Sequence, residues 1–177
     1  FPKKWRGRPP GAPPPPLPPP PPRAGGGGAL SVVTTTTDLK ALVDAVGGDR
    51  VRAESLTPAV HDPHAVEVKA GQLARLRHAA LVVRIGLEHE AWLGRAVQTA
   101  GNPALARGAR GDLDVSAGIE LLDAETVRAR PARGGLVHGL GNTQYWLDPE
   151  NARVITASIL GGLARVAPAD QAAFTAN

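Results

Sequence analysis

The chain has 177 residues, of which 42% are hydrophobic, so it is long enough to form one domain around a substantial apolar core. It contains no cysteine, which excludes disulfide bonds, thiolate metal sites and cysteine nucleophiles. Its net charge of +4 originates at one end, because residues 1–28 hold five of the 20 lysines and arginines and none of the 16 acidic residues. The remainder is nearly neutral, so we expect no phosphate-binding groove and no nucleic-acid partner.

Residues 1–28 form a basic, Pro/Gly-rich segment that contains 12 of the 18 prolines. Such a run does not form helices or sheet ladders, so we predict a disordered tail of extended polyproline II and a flexible glycine hinge. The tail is either a linker or non-native leader, or a ligand for an SH3-type groove or a cell-wall spacer. Because the chain begins with Phe1 and lacks methionine, we expect a piece of a longer protein.

From Ala29 onward, short β-branched runs alternate with segments of helical hydrophobic spacing. The predicted strands cover residues 29–34, 51–56, 81–86 and 118–122, and the predicted helices cover residues 35–48, 69–80, 88–101 and 147–166. This alternation is typical of βαβ units. We therefore predict an α/β fold, a single lobe in which helices flank a parallel four-stranded sheet.

The helix over residues 147–166 has the strongest local signals. Asp148 can cap its N-terminus, and Pro149 fits its first turn. The predicted apolar stripe consists of Val154, Ile155, Ile159, Leu163 and Val166. A further helix is predicted to begin near Pro168 and to run to the end of the chain. Since compact domains seldom end inside a helix, we expect residues 29–177 to be a piece of a longer protein.

The segment VHDPHAVE, residues 60–67, places His61 and His64 directly after the second predicted strand. Ligands of open parallel sheets bind beyond the carboxyl ends of the strands, and Pro63 keeps this segment out of a helix. Neutral imidazole suits zinc, manganese and iron, and Glu67 could add an oxygen ligand or support one. On spacing alone, surface or capping histidines remain the alternative interpretation.

A second polar cluster precedes the helix over residues 147–166. It consists of His138, Asn142, Gln144 and Asp148, beside Tyr145 and Trp146. A loop that enters a helix N-terminus is a natural position for ligands. The alternative is that the two aromatic residues pack in the core and that Asp148 only caps the helix.

Residues 88–90, Glu-His-Glu, also resemble a metal cluster. Acidic residues favour a helix N-terminus, so we interpret them as a solvated first turn. The sequence has no dinucleotide fingerprint, no Walker loop and no serine-hydrolase elbow. A small metal-dependent hydrolase that uses His61, His64 and Glu67 is the remaining enzymatic alternative, and we expect no enzyme.

Four segments give the chain a family resemblance. In chain order they are SVVTTTTDLKALVDAVGGDRV, SLTPAVHDPHAVEVK, LVVRIGLEHEAWL and GNTQYWLDPENARVI. With these segments, residues 29–177 resemble the N-terminal lobe of the substrate-binding proteins of zinc/manganese ABC transporters, the helical-backbone, metal-binding type. The resemblance implies two lobes joined by one long helix, with the metal ion in the cleft between them. Residues 29–177 would then be the first lobe only, truncated, and their last helix would be the start of the long inter-lobe helix.

The resemblance also implies a function. A protein of this type captures zinc, or manganese, in the periplasm or another extracytoplasmic space and delivers it to an ABC importer. The ion is cargo and no catalysis is involved; the expected partners are the ion and the permease, and the protein is expected to be a monomer that is peripheral to the membrane. The alternatives are an adhesion or interaction protein with the Pro-rich tail as its contact, and a degenerate fragment that does not bind metal.

The same resemblance selects among the candidate ligands. The histidine of the Asp-Pro-His motif is a ligand in this family, which favours His64 and makes His61 a neighbour that shields or assists it. The second first-lobe ligand is usually a histidine immediately before the aromatic-Trp-Leu-Asp-Pro segment, where this chain has Gln144. A carboxamide oxygen is a weaker zinc ligand than imidazole. Three outcomes remain open: Gln144 coordinates weakly, His138 replaces it, or the chain binds metal poorly.

Overall fold

The structure is a computed structural model that describes residues 28–121 and 142–177. Four parallel strands form one sheet in the order β2-β1-β3-β4. The strands are β1 (Leu30–Thr34), β2 (Val51–Ser55), β3 (Leu81–Arg84) and β4 (Asp112–Asp114). The predicted α/β lobe with a parallel four-stranded sheet is therefore confirmed. Apart from residue 28, the predicted tail lies outside the described residues.

Helices cover both faces of the sheet, as the sequence predicts. They are α1 (Thr37–Gly47), α2 (Ala70–His78), α3 (Leu93–Ala100), α4 (Pro149–Val166) and α5 (Gln171–Ala176). Helices α1, α4 and α5 share one buried hydrophobic cluster, and α2 and α3 share the other. Neighbouring residues of β1 point to opposite faces, so Val32 belongs to the first cluster and Val33 to the second. None of the described helices is long and apolar enough to cross a membrane.

The capping predictions for α4 hold in the structure. The side chain of Asp148 accepts a hydrogen bond from the backbone N–H of Glu150 at 2.9 Å, and Pro149 is the first helical residue. Of the predicted apolar stripe, Val154 is an exception because 36% of it is exposed. The predicted helix near Pro168 is also present: a 3-10 turn at Pro168–Asp170 leads into α5, whose Phe174 is buried in the core.

The prediction of the fourth strand over residues 118–122 is wrong for its described part. Residues 118–121 form no strand, and β4 lies earlier, at Asp112–Asp114. The aspartates that flank Leu113 both pair with Arg84 of the neighbouring β3, at 2.8 Å and 2.7 Å. This cross-strand ion pairing stabilises a strand of only three residues, which is too short and too acidic to give a strand pattern in the sequence.

The predicted helix over residues 88–101 begins five residues late, at Leu93. The preceding turn contains three residues with a positive φ, namely Gly86, Leu87 and Glu88. Left-handed backbone is incompatible with a helical first turn, so the helix begins only after this turn. This turn lies beside the point where the sheet order reverses, between β1 and β3, where open α/β sheets bind their ligands.

Candidate metal site

Three loop segments meet at the carboxyl edge of the sheet. They are the loop after β2, the turn after β3, and residues 142–148 before α4. The indole Nε1 of Trp92, at the end of the β3 turn, donates a hydrogen bond to the carbonyl of Pro63 in the first loop at 2.8 Å. His89 of the same turn contacts His64 in the first loop and Thr143 in the third segment. The turn after β3 therefore joins the two segments that carry the predicted ligands.

His64 is held on both its backbone and its ring. Its N–H donates to the side chain of Asp62 at 2.9 Å, which closes a tight turn around Pro63. Its ring Nδ1 lies 3.2 Å from the backbone carbonyl of His89. A carbonyl oxygen only accepts hydrogen bonds, so Nδ1 carries the proton and the neutral ring has its lone pair on Nε2. Metal-binding histidines typically have this arrangement, in which one ring nitrogen donates to a carbonyl and the other coordinates.

His89 is buried, with 1% of its surface exposed. Its ring lies against the His64 ring at a centroid distance of 3.9 Å, tilted by 53°. Its Nδ1 is 3.0 Å from the hydroxyl of Thr143, and the Trp146 ring meets it edge-on at a centroid distance of 5.1 Å. The interpretation of residues 88–90 as a solvated first turn is therefore wrong for His89 and Glu90, while Glu88 is exposed.

Glu90 connects the ends of β1 and β3 beneath this cluster. Its carboxylate accepts hydrogen bonds from the Thr35 hydroxyl at 2.6 Å and from the backbone N–H groups of Ile85 and Gly86 at 2.7 and 3.1 Å. Burial raises the pKa of Glu90, whereas these hydrogen bonds and the charge of Arg84 lower it, and burial has the larger effect. Its hydrogen bonds make Glu90 a structural clamp of the turn that carries His89.

Gln144 lies at the exposed rim of the site. Its N–H donates to the Asn142 side chain at 2.8 Å, and the next residue, Tyr145, is buried. The Tyr145 hydroxyl donates to the backbone carbonyl of Ile85 at the end of β3. Burial and the nearby charges of Asp114 and Glu90 raise the Tyr145 pKa, so the phenol stays protonated as a donor. Core packing of Tyr145 and capping by Asp148, the alternative roles considered for these residues, both occur.

The other predicted ligands are not brought together. His61 and Glu67 are exposed on the loop after β2, and His138 lies outside the described residues. Within residues 28–121 and 142–177, no group of three or more His, Asp or Glu side chains could hold a metal ion. This result gives no support to a hydrolase site built from His61, His64 and Glu67. The described residues instead present the oriented imidazole of His64 and the exposed carboxamide of Gln144, on two segments that both contact His89.

Sequence comparison relates most of the chain to metal uptake. The family model of ZnuA, described as zinc-uptake complex component A, periplasmic, matches residues 32–177. A protein of Treponema pallidum (strain Nichols), named as a candidate metal-binding protein, is 29% identical over 134 residues, which is 73% of this chain and 40% of the relative.

Solved structures of similar fold include ZnuA, at 25% identity with a TM-score of 0.67, and a zinc-bound deletion mutant of ZnuA, at 26% identity with a TM-score of 0.68. Each match covers 84% of this chain and 51% of the solved chain. A manganese-bound periplasmic metal-binding protein from Candidatus Liberibacter asiaticus shares the fold at 18% identity with a TM-score of 0.63, over 82% of this chain and 48% of the other. The chain thus spans about half the length of the solved proteins that it matches.

Proposed function

The chain belongs to the ZnuA family of periplasmic zinc-uptake components, and we propose that its residues 29–177 form the first lobe of a metal-capture protein. The lobe contributes its ligands to a site for Zn²⁺, with Mn²⁺ as the alternative cargo, and a second lobe completes the site. The loaded protein, an extracytoplasmic monomer, delivers the ion to the permease of an ABC importer. The ion is cargo, so the proposal includes no catalytic step.

The single observation that carries this proposal is the orientation of His64. The hydrogen bond from Nδ1 to the His89 carbonyl directs the lone pair to Nε2, and the His64 ring packs against the His89 ring. An oriented ligand loses little conformational freedom when it binds, which favours coordination. A histidine that only caps a loop has no need of this outer support.

Gln144 is proposed as the second, weaker ligand of this lobe. It follows the buried Thr143, which contacts His89, so its segment is anchored close to the His64 support while its own side chain is exposed. Carbonyl-type oxygens suit harder ions such as Mn²⁺ better than imidazole does. Glutamine in place of the usual histidine at position 144 should therefore weaken the binding of zinc more than the binding of manganese.

Titration of Zn²⁺ into the 177-residue chain, read by competition with a chromophoric chelator, tests the proposal. His64→Ala should weaken zinc binding by about 100-fold or more, since even a residue that only supports a ligand contributes about 10–100-fold. His61→Ala, on the same loop but exposed, is the matched control and should bind as the unmodified chain does. Equal zinc affinity in the His64→Ala variant and the unmodified chain would overturn the proposal.

Gln144→His tests the second ligand in the same assay. An imidazole at this position should tighten zinc binding by about tenfold or more, which corresponds to about 1.4 kcal/mol. An unchanged affinity would remove residue 144 from the metal site.

A further inference from the structure

We propose that His89 is the positioning residue that couples the two ligand-bearing segments, so that His64 and the segment containing Gln144 act as one unit. This inference rests on the proposed metal-capture function. It assigns a role to a buried residue whose sequence pattern predicts only a solvated helix start.

The first half of the coupling is the contact with His64. The His89 carbonyl accepts from His64 Nδ1, and the two rings are in contact at a centroid distance of 3.9 Å. The His89 backbone is itself fixed, because its N–H donates to the Gly86 carbonyl at 2.9 Å within the turn that Glu90 clamps. The support of His64 therefore belongs to the turn after β3 and not to the loop after β2 that carries His64.

The second half is the contact with Thr143. The His89 ring nitrogen Nδ1 lies 3.0 Å from the Thr143 hydroxyl, and only 3% of Thr143 is exposed. Trp146, two residues after Gln144, contacts the His89 ring edge-on. Two contacts from one buried ring thus hold both sides of Gln144, whose own side chain remains exposed. Contacts from residues that do not themselves bind the metal usually set the orientation of a metal ligand.

His89 is better placed to position a ligand than to be one. Two imidazoles on one tetrahedral ion with metal–nitrogen bonds of about 2.1 Å have ring centres about 5 Å apart. The His64 and His89 centroids are closer than this, at 3.9 Å, and the rings are packed against each other. The geometry therefore describes one ligand and its support.

Two variants of the 177-residue chain that keep the shape of the side chain test the hydrogen bond between His89 Nδ1 and the Thr143 hydroxyl. One removes the His89 partner and the other removes the Thr143 partner. His89→Phe keeps an aromatic ring against His64 and keeps the backbone carbonyl, but it lacks Nδ1. Thr143→Val keeps the volume of Thr143 but lacks the hydroxyl. Each variant should weaken Zn²⁺ binding by about tenfold, and the double variant should be no weaker than either single one, because both remove one shared contact.

Thr143→Ser, which retains the hydroxyl, should restore the affinity of the unmodified chain. Thermal unfolding of the metal-free variants separates a general loss of folding from the loss of positioning. The long-range proton–nitrogen NMR spectrum of metal-free protein should show a changed Nδ1 signal of His89 in Thr143→Val and the original signal in Thr143→Ser. A merely structural role would not produce this rescue and this signature together.

Three other results would overturn the inference, and they are distinguishable. If His89→Phe abolishes zinc binding while Thr143→Val has no effect, His89 is itself a ligand. If His89→Phe and Thr143→Val both bind zinc with the affinity of the unmodified chain while His64→Ala binds it more weakly, the metal-capture function stands and the positioning role fails. If His64→Ala changes nothing, the proposed function fails and this inference fails with it.

Discussion

Replacing Gly86 by alanine should strongly destabilise the fold. Gly86 has a φ of 81°, a conformation that residues with a Cβ rarely adopt. A Cβ at this position would also overlap the carboxylate of Asp114 on β4. Both effects act on the turn that carries His89, so the substitution should disturb the proposed metal site as well as the fold.

The magnitude follows from two separate contributions. The left-handed conformation costs a residue other than glycine about 1–2 kcal/mol. The overlap forces Asp114 away from Arg84 Nη1, at 2.7 Å, and from the Ser116 hydroxyl, at 2.6 Å. Loss of one hydrogen bond to a charged group costs about 1.5–3 kcal/mol, so the strained conformation together with the loss of one of these two bonds costs about 2.5–5 kcal/mol. That is a large part of the roughly 5–15 kcal/mol by which a typical domain is stable.

Urea unfolding of the 177-residue chain, followed by circular dichroism, measures this loss. Gly101→Ala is the matched control: Gly101 also has a positive φ, of 71°, but a Cβ there would have no atom within 4 Å. The control should lose only the conformational contribution of about 1–2 kcal/mol. If Gly86→Ala is no more destabilising than Gly101→Ala, the assigned contact between Gly86 and Asp114 is wrong.

Three further predictions concern the elements around the site. Burial raises the pKa of Glu90 above its ordinary value, so the folded chain holds this proton more tightly than the unfolded chain. The contribution of Glu90 to the free energy of unfolding should therefore be present in full below its unfolded-state pKa and be lost as the pH rises through the raised folded-state pKa. Glu90→Gln should remove this pH-dependent part of the free energy of unfolding, measured by urea unfolding between about pH 4 and pH 8. Tyr145→Phe should cost about 1 kcal/mol in the same assay at neutral pH, because a buried carbonyl at the end of β3 loses its donor. Gly162→Ala should destabilise, since its Cβ would come within 2.7 Å of the Leu113 side chain, whereas Gly161→Ala, with no atom within 4 Å, should stabilise α4 by about 0.5–1 kcal/mol. An equal effect of the two glycine substitutions would contradict the packing of α4 on β4.

Most of the fold was predictable because its signals are local. Strands β1 and β3 lie inside the sheet and their short apolar runs are mostly buried, whereas the edge strand β2 alternates the buried Val51 and Ala53 with the exposed Arg52. The capping residue Asp148 directly precedes α4 and marks its start in the sequence. The place of His64 at the carboxyl edge of the sheet followed from its position directly after the second strand, and its role as a ligand stays a prediction.

The two failures have different causes, one a contact between distant residues and the other an unusual local backbone. Strand β4 forms because Arg84 pairs with Asp112 and Asp114, residues 28 and 30 positions away, which no local pattern reveals. His89 is buried because Leu87 and Glu88 adopt left-handed backbone that their residue types disfavour. The glycine at position 86 was the only local signal of such a turn.

The most direct test of the account is NMR of the 177-residue chain loaded with NMR-active cadmium in place of zinc. With the His64 Nδ1 proton held by the His89 carbonyl, the ion must bind Nε2, and both carbon-bound ring protons then lie three bonds from the metal. We predict scalar coupling from cadmium to both of these His64 protons, and its loss in His64→Ala. Coupling to only one ring proton would indicate coordination through Nδ1. Bound cadmium without any coupling to His64 would contradict the proposal that His64 is a metal ligand.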